Sequence, residues 1–259
     1  MPKTHLGLML VLCAACADVE AEVAPPTIES QSLLALQHFY EDDAGEQIAV
    51  LRELVDAEVS DTPHGFYFDA LSAEDVEMFE HSDAAIWEHT TGCGVLAKMA
   101  GELSQYAAVV PEEDQSFPDP GYETWTREIT GGNADAFLDG DGLDTWNEVV
   151  KAEIGFAVDY GMHKDYRWHD GVLAQLSLVP EGVMPADAFS TELVVGFTIE
   201  LWYELDGTMI WYNASWTEIE SPIDEDNVEI EGWLDLLIDG TLDYYWGTQE
   251  HATGIPRPE

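Results

Sequence analysis

The sequence predicts an α+β fold in which N-terminal helices pack on a C-terminal antiparallel β-sheet, a meander or partial barrel. Three observations predict it. Apolar residues recur at helical spacing through much of residues 30–110, and the apolar period shortens to two beyond residue 122. Asp-Gly pairs also punctuate the later apolar runs, at Asp206-Gly207 and Asp239-Gly240, as two-residue hairpin turns require.

Taken in order, Leu33, Leu36, Phe39 and Tyr40, then Ile48, Leu51, Leu54 and Val55, define two amphipathic helices around an acidic break at Glu41 to Gly45. Phe66 and Phe68 alternate in a short strand from His64 to Ala70. Ser72-Ala73-Glu74-Asp75 is a capping-box variant that opens a further helix. Val95, Met99, Leu103 and Tyr106 mark one more helix, which Pro111, Pro118 and Pro120 bring to an end. From Val150 to Met162 alternate positions are apolar, which predicts one sustained strand. Its partner runs from about Tyr166 to Val179, with a bulge at Asp170-Gly171.

The clearest hairpin spans Glu192 to Ile219 around Asp206-Gly207. Pairing Leu205 with Thr208 sets Tyr203 opposite Ile210, Leu201 opposite Tyr212, Ile199 opposite Ala214 and Phe197 opposite Trp216, an almost wholly apolar face. The other face carries Glu200, Glu204 and Asn213 and pairs Trp202 with Trp211. A second hairpin around Asp239-Gly240 would set Trp233 opposite Trp246 and Leu237 opposite Leu242. The chain therefore divides into a leader 1–17, a tether 18–29, a helix-rich part 30–110, a Pro-rich connection 111–121, an antiparallel β part 122–250 and a tail 251–259.

The leader has the form of an export signal: Lys3 and His5, an apolar run from Leu6 to Leu12, then small residues up to Ala17. So short a run does not span a bilayer of about 30 Å. Cys13-Ala14-Ala15-Cys16 resembles the bacterial lipoprotein signal. The resemblance implies lipidation at Cys16 and anchoring in the bacterial cell envelope through an N-terminal lipid. Cleavage after Ala17, releasing a secreted soluble protein that begins at Asp18, is the alternative.

Composition excludes some partners. The formal net charge is −45, with 53 Asp and Glu against 8 Lys and Arg. Such a surface repels polyanions, so no nucleic acid is expected as a partner, nor an anionic membrane face held by charge. A basic protein or a small apolar ligand remains compatible. High charge keeps the protein dispersed and suits a salty exterior. At 46% hydrophobic and 11% aromatic the chain buries a core all the same. With Cys13 and Cys16 in the leader, Cys93 has no partner for a disulfide within one mature chain.

Chemistry-bearing patterns are few. Asp139, Asp141 and Glu148, with Gly142, match part of an EF-hand loop and make a calcium candidate, although Phe137 falls where the first carboxylate belongs. An acidic turn before a strand accounts for the same residues. His163-Lys164-Asp165-Tyr166-Arg167-Trp168-His169-Asp170 concentrates basic residues in an otherwise acidic chain. It supplies candidate acid/base groups in His163, His169 and Asp170, and an anion-binding group in Arg167. The structural alternative is that these cations pair with neighbouring acids and pin the sheet. His81, Glu88, His89 and Cys93 are donor types without zinc-motif spacing, so no metal site is expected from them. Nor is a cofactor, because no Gly-x-Ser-x-Gly elbow, Walker loop or dinucleotide fingerprint occurs. Trp202 and Trp211 are ligand-binding candidates if their sheet face is open, and core if helices cover it. The sequence thus points to an exported binding or interaction module rather than an enzyme. The alternatives are an exported hydrolase built on His163, His169 and Asp170, and a structural surface protein.

Overall fold

The computed structural model describes residues 25–78, 90–118, 121–153, 156–179, 192–220 and 230–257. The lipoprotein-like leader with Cys16, and the donors His81, Glu88 and His89, lie outside them. Eight antiparallel strands form one sheet: β1 (His64–Phe68), β2 (Thr91–Met99), β3 (Tyr122–Gly131), β4 (Leu143–Glu153), β5 (Phe156–His169), β6 (Val172–Val179), β7 (Glu192–Leu205) and β8 (Thr208–Glu220). Their order is β1-β2-β8-β7-β6-β5-β4-β3. From β3 to β8 the chain is therefore a meander, and the β1–β2 pair closes onto β8.

The helices are α1 (Ile28–Gln37), α2 (Ala44–Glu58), α3 (Ala73–Met78), α4 (Leu103–Val109), α5 (Ala134–Leu138) and α6 (Ile230–Thr253). Thr27 caps α1 by accepting from the Ser30 amide, so this helix starts inside the expected tether. Ser72 accepts from the Asp75 amide and Asp75 accepts in return from Ser72, which is the reciprocal cap expected at α3. Leu33, Leu36 and Phe39, together with Ile48, Leu51 and Val55, turn inward against Ile199, Leu201, Ile210, Tyr212 and Trp216 of one sheet face. The opposite face, with Val95, Leu173, Trp202 and Trp211, packs against Leu103, Phe137 and Tyr245 of α4, α5 and α6.

The Asp206-Gly207 hairpin forms with the expected register throughout, from Leu205 opposite Thr208 to Phe197 opposite Trp216. Both turn residues have positive φ, 52° and 78°, as a type I′ turn demands.

Five expectations are corrected. The helices are not all N-terminal: α4, α5 and α6 follow strands. Asp239-Gly240 is no hairpin but the middle of α6. Leu234, Ile238, Leu242, Tyr245 and Gln249 recur every three or four residues toward the sheet, while Asp239, Gly240, Asp243 and Glu250 face solvent. Burial of that stripe outweighs the cost of about 1 kcal/mol for one helical glycine. The helix drawn through Val95, Met99, Leu103 and Tyr106 is strand β2 followed by α4. β2 lies between β1 and β8, and Gly92 through Ala97 are buried on both faces, which erases the two-residue alternation that marks a strand. Finally, the strand expected from Val150 to Met162 is two strands, with Glu153 opposite Phe156 and Val149 opposite Tyr160. Val150 and Met162 therefore face opposite sides. The next reversal falls at Asp170-Gly171, where the expected bulge is a turn with φ of 46° and 80°.

Candidate functional site

The sheet face beneath α6 is not a uniform apolar core. Alternation along β7 places Glu200 and Trp202 on this face, and the β8 register sets Asn213 and Trp211 directly opposite them. On the other side β6 brings Gln175 opposite Glu200, and β5 brings Tyr166 opposite Gln175. All are buried. A carboxylate taken from water is costly unless hydrogen-bonded, and Glu200 is served by three donors. It accepts from Trp211 Nε1 at 2.7 Å, Trp202 Nε1 at 3.1 Å and Gln175 Nε2 at 2.8 Å. The two indoles lie 4.5 Å apart, and Tyr245 of α6 stacks on Trp211 at 4.1 Å.

Two cations share this interior. Arg127 on β3 donates from Nε to Asn147 Oδ1 at 2.8 Å, donates from Nη1 to the Val110 carbonyl, and lies 5.5 Å over the Tyr166 ring. Lys164 on β5 is only 5% exposed. Its ammonium sits between the Trp125 ring at 5.1 Å and the Tyr244 ring at 5.3 Å. Burial pushes its pKa down to about 8, with Arg127 adding to that and Glu200 opposing it.

Several buried polar atoms of the same face have no hydrogen-bond partner among the described residues: Gln175 Oε1, Thr198 Oγ1, Asn213 Oδ1 and Tyr245 Oη. They occupy neighbouring positions on β6, β7, β8 and α6. Buried polar atoms are normally paired, and each orphan costs about 1–3 kcal/mol. Orphans beside a ring cluster and a buried ammonium are suited to orienting a small, mostly apolar molecule.

The sequence-chosen residues separate. Trp202 and Trp211 belong to this site, but as a packed wall under α6 and not an open face. Arg167 points to the opposite sheet face, against the segment that joins α1 to α2. There it pairs with Asp144 at 2.6 Å and covers the Phe39 and Tyr40 rings. His163 and His169 lie on one strand six residues apart, hence about 20 Å from each other. His163 is exposed against Trp146. His169 is half-buried, its Nε2 has no partner among the described residues, and burial together with Arg167 lowers its pKa. Asp170 occupies the turn. No acid/base pair forms among the three.

Among the described residues Asp139, Asp141 and Glu148 do not gather as a set of metal donors. The one such group there is His38, Glu41 and Asp43, with His38 Nδ1 at 3.3 and 3.0 Å from the two carboxylates. Cys93 is buried, and burial pushes its thiol pKa up to about 12, so it behaves as a small hydrophobe.

Sequence reasoning passed over Arg127 and did not separate Lys164 from Arg167. For Lys164 the signal was present: it shares the strand parity of Tyr166 and Trp168, against that of Arg167 and His169.

Fold and site together define a helix-covered antiparallel sheet with a polar and aromatic interior beneath its C-terminal helix. No family model matches the chain, and no curated protein resembles it significantly in sequence. Among solved structures, a Thermus thermophilus protein is similar at 12% identity and TM-score 0.45, over 62% of this chain and 96% of that one. A STAR-related lipid transfer protein from Xanthomonas axonopodis is similar at 8% identity and TM-score 0.44, over 63% and 86%. The lipid transfer and protein localization domain of human StarD13 is similar at 10% identity and TM-score 0.42, over 79% and 95%. At such identities the likeness does not extend to side chains, and function rests on the residues of this chain. No helix among the described residues is long and apolar enough to cross a membrane.

Proposed function

We propose that this protein is an exported, lipid-anchored envelope protein whose domain binds one small, largely apolar molecule between the sheet and α6, as a binding module and not an enzyme. The observation that carries the binding role is the set of unpartnered buried atoms on Gln175, Thr198, Asn213 and Tyr245, set among Trp202, Trp211 and Tyr244. A finished core pairs its polar groups, whereas a site for an exchangeable molecule leaves them to the ligand. The export and anchoring part rests on the leader and on Cys16.

Titration with Nile red, a neutral apolar dye, tests the binding role. Saturable one-to-one binding with a blue-shifted emission is expected. Asn213→Leu, which fills the site from β8, should abolish it while leaving the melting temperature unchanged or higher. Dye uptake that never saturates, or that Asn213→Leu leaves intact, contradicts the site. Anchoring is tested by intact mass: acyl mass on Cys16, lost in Cys16→Ala together with membrane association, is the expected outcome. An unmodified chain beginning at Asp18 contradicts it.

A further inference from the structure

We infer that the molecule held beneath α6 is an apolar monocarboxylate whose anionic head is taken by Lys164, with Arg127 as the supporting charge. This deepens the binding role proposed above and rests on it. Charge balance within the buried face leads there. Among the described residues two buried cations, Lys164 and Arg127, share it with one buried carboxylate, Glu200. That carboxylate already accepts hydrogen bonds from Trp202, Trp211 and Gln175. The Arg127 guanidinium is engaged as well, at Asn147 and the Val110 carbonyl. The Lys164 ammonium has three donors, and what surrounds it is ring faces. Among the described residues no carboxylate stands within ion-pair distance of it, in a chain with 53 acids. A buried ammonium lacking a counter-ion is costly, and a carboxylate from a ligand both neutralises it and accepts its hydrogens. The surrounding Trp125, Tyr244, Met162 and Val149 side chains receive the apolar remainder of the molecule.

The groups facing Lys164 are Glu200 from β7, Arg127 from β3 and Tyr244 from α6, with Thr145 of β4 and Ser177 of β6 beside it in register. Glu200 is the one carboxylate among these groups. The acidic exterior slows the approach of an anion, so added salt should speed association.

The test pairs decanoate with decanol and oleate with oleyl alcohol, read by tryptophan fluorescence on the full chain at pH 7. It is run with wild type, Lys164→Met and Lys164→Arg, each checked for an intact melting transition. The acids are expected to bind at least tenfold more tightly than their alcohols. Lys164→Met should remove that preference while leaving alcohol binding, and Lys164→Arg should retain most of it. Acid binding should also weaken as pH rises past the Lys164 titration near 8. Equal affinity for acid and alcohol, or an acid preference that survives Lys164→Met, overturns the carboxylate assignment and leaves the binding role standing. Failure of both acid and alcohol to bind overturns the binding role itself.

Discussion

Replacing Lys164 by Met should make the unliganded protein more stable, an unusual outcome for a change to a residue only 5% exposed. Burial lowers the lysine pKa from its ordinary 10.5 to about 8, which corresponds to a penalty of about 3 kcal/mol against the folded state at pH 7. The contacts with the Trp125 and Tyr244 rings return about 1 kcal/mol of cation–π attraction, and methionine fills a similar volume. The net expectation is a gain of about 2 kcal/mol at pH 7. The direction with pH follows from proton counting. Between pH 8 and 10.5 the unfolded chain holds the lysine proton and the folded chain does not, so wild-type stability from this group rises through that window. Lys164→Met lacks that rise, and its advantage should shrink toward zero by pH 10. Urea unfolding followed by tryptophan fluorescence at pH 7 and pH 10 measures both quantities. A loss of 1 kcal/mol or more at pH 7 refutes the reasoning, because it would make Lys164 a structural pin of the sheet.

Other consequences concern the packing and titration of the fold. In Gly247→Ala the new Cβ would fall 1.8 Å from the Pro118 carbonyl oxygen, so α6 must shift away from that segment. A cost of about 3 kcal/mol and a fall of about 6–12 °C in melting temperature should appear by calorimetry. Burial, with Asp69 and Asp75 adding to it, raises the pKa of Glu29 at the start of α1 to about 7. The folded state thus binds this proton more tightly than the unfolded chain, so the stability this group contributes is present below pH 4.5 and is lost as pH rises through 7. Stability should therefore increase on acidification from pH 8 to pH 5.5, with a smaller increase in Glu29→Gln. Cys93, with its thiol pushed up to about 12 and its side chain buried, should react with a thiol reagent only as fast as the protein opens, and labelling kinetics in urea would show it.

What the sequence made legible was the structure with strong local signals. The Asp206-Gly207 turn fixed the β7–β8 register because two residues with positive φ permit only one pairing of the flanking strands. The α1–α2 pair and the cap at Ser72 were likewise visible as spacing and hydrogen-bonding chemistry. The same Asp-Gly pair misled at Asp239-Gly240, because a turn signal is local while the stripe Leu234, Ile238, Leu242, Tyr245 that makes α6 a helix is answered by a sheet far away in sequence. β2 was hidden for the complementary reason: buried on both faces, it shows no alternation.

Half of the site was visible in the Trp202 and Trp211 pair and in Glu200 on their face. The rest was not, because Lys164 and Arg127 meet it only through the β3–β4–β5 register, which depended on finding the β4–β5 reversal. The basic segment therefore read as one cluster, whereas strand parity sends Arg167 to the α1–α2 connection and Lys164 toward α6.

The most direct test of the central claim is organic extraction and mass spectrometry of the full-length protein purified without detergent from the cells that make it, with Asn213→Leu purified in parallel. The account predicts about one equivalent of an apolar small molecule released from wild type and little from the variant. Empty wild-type protein that also leaves added Nile red, decanol and oleyl alcohol unbound would contradict it and would make the face beneath α6 a core.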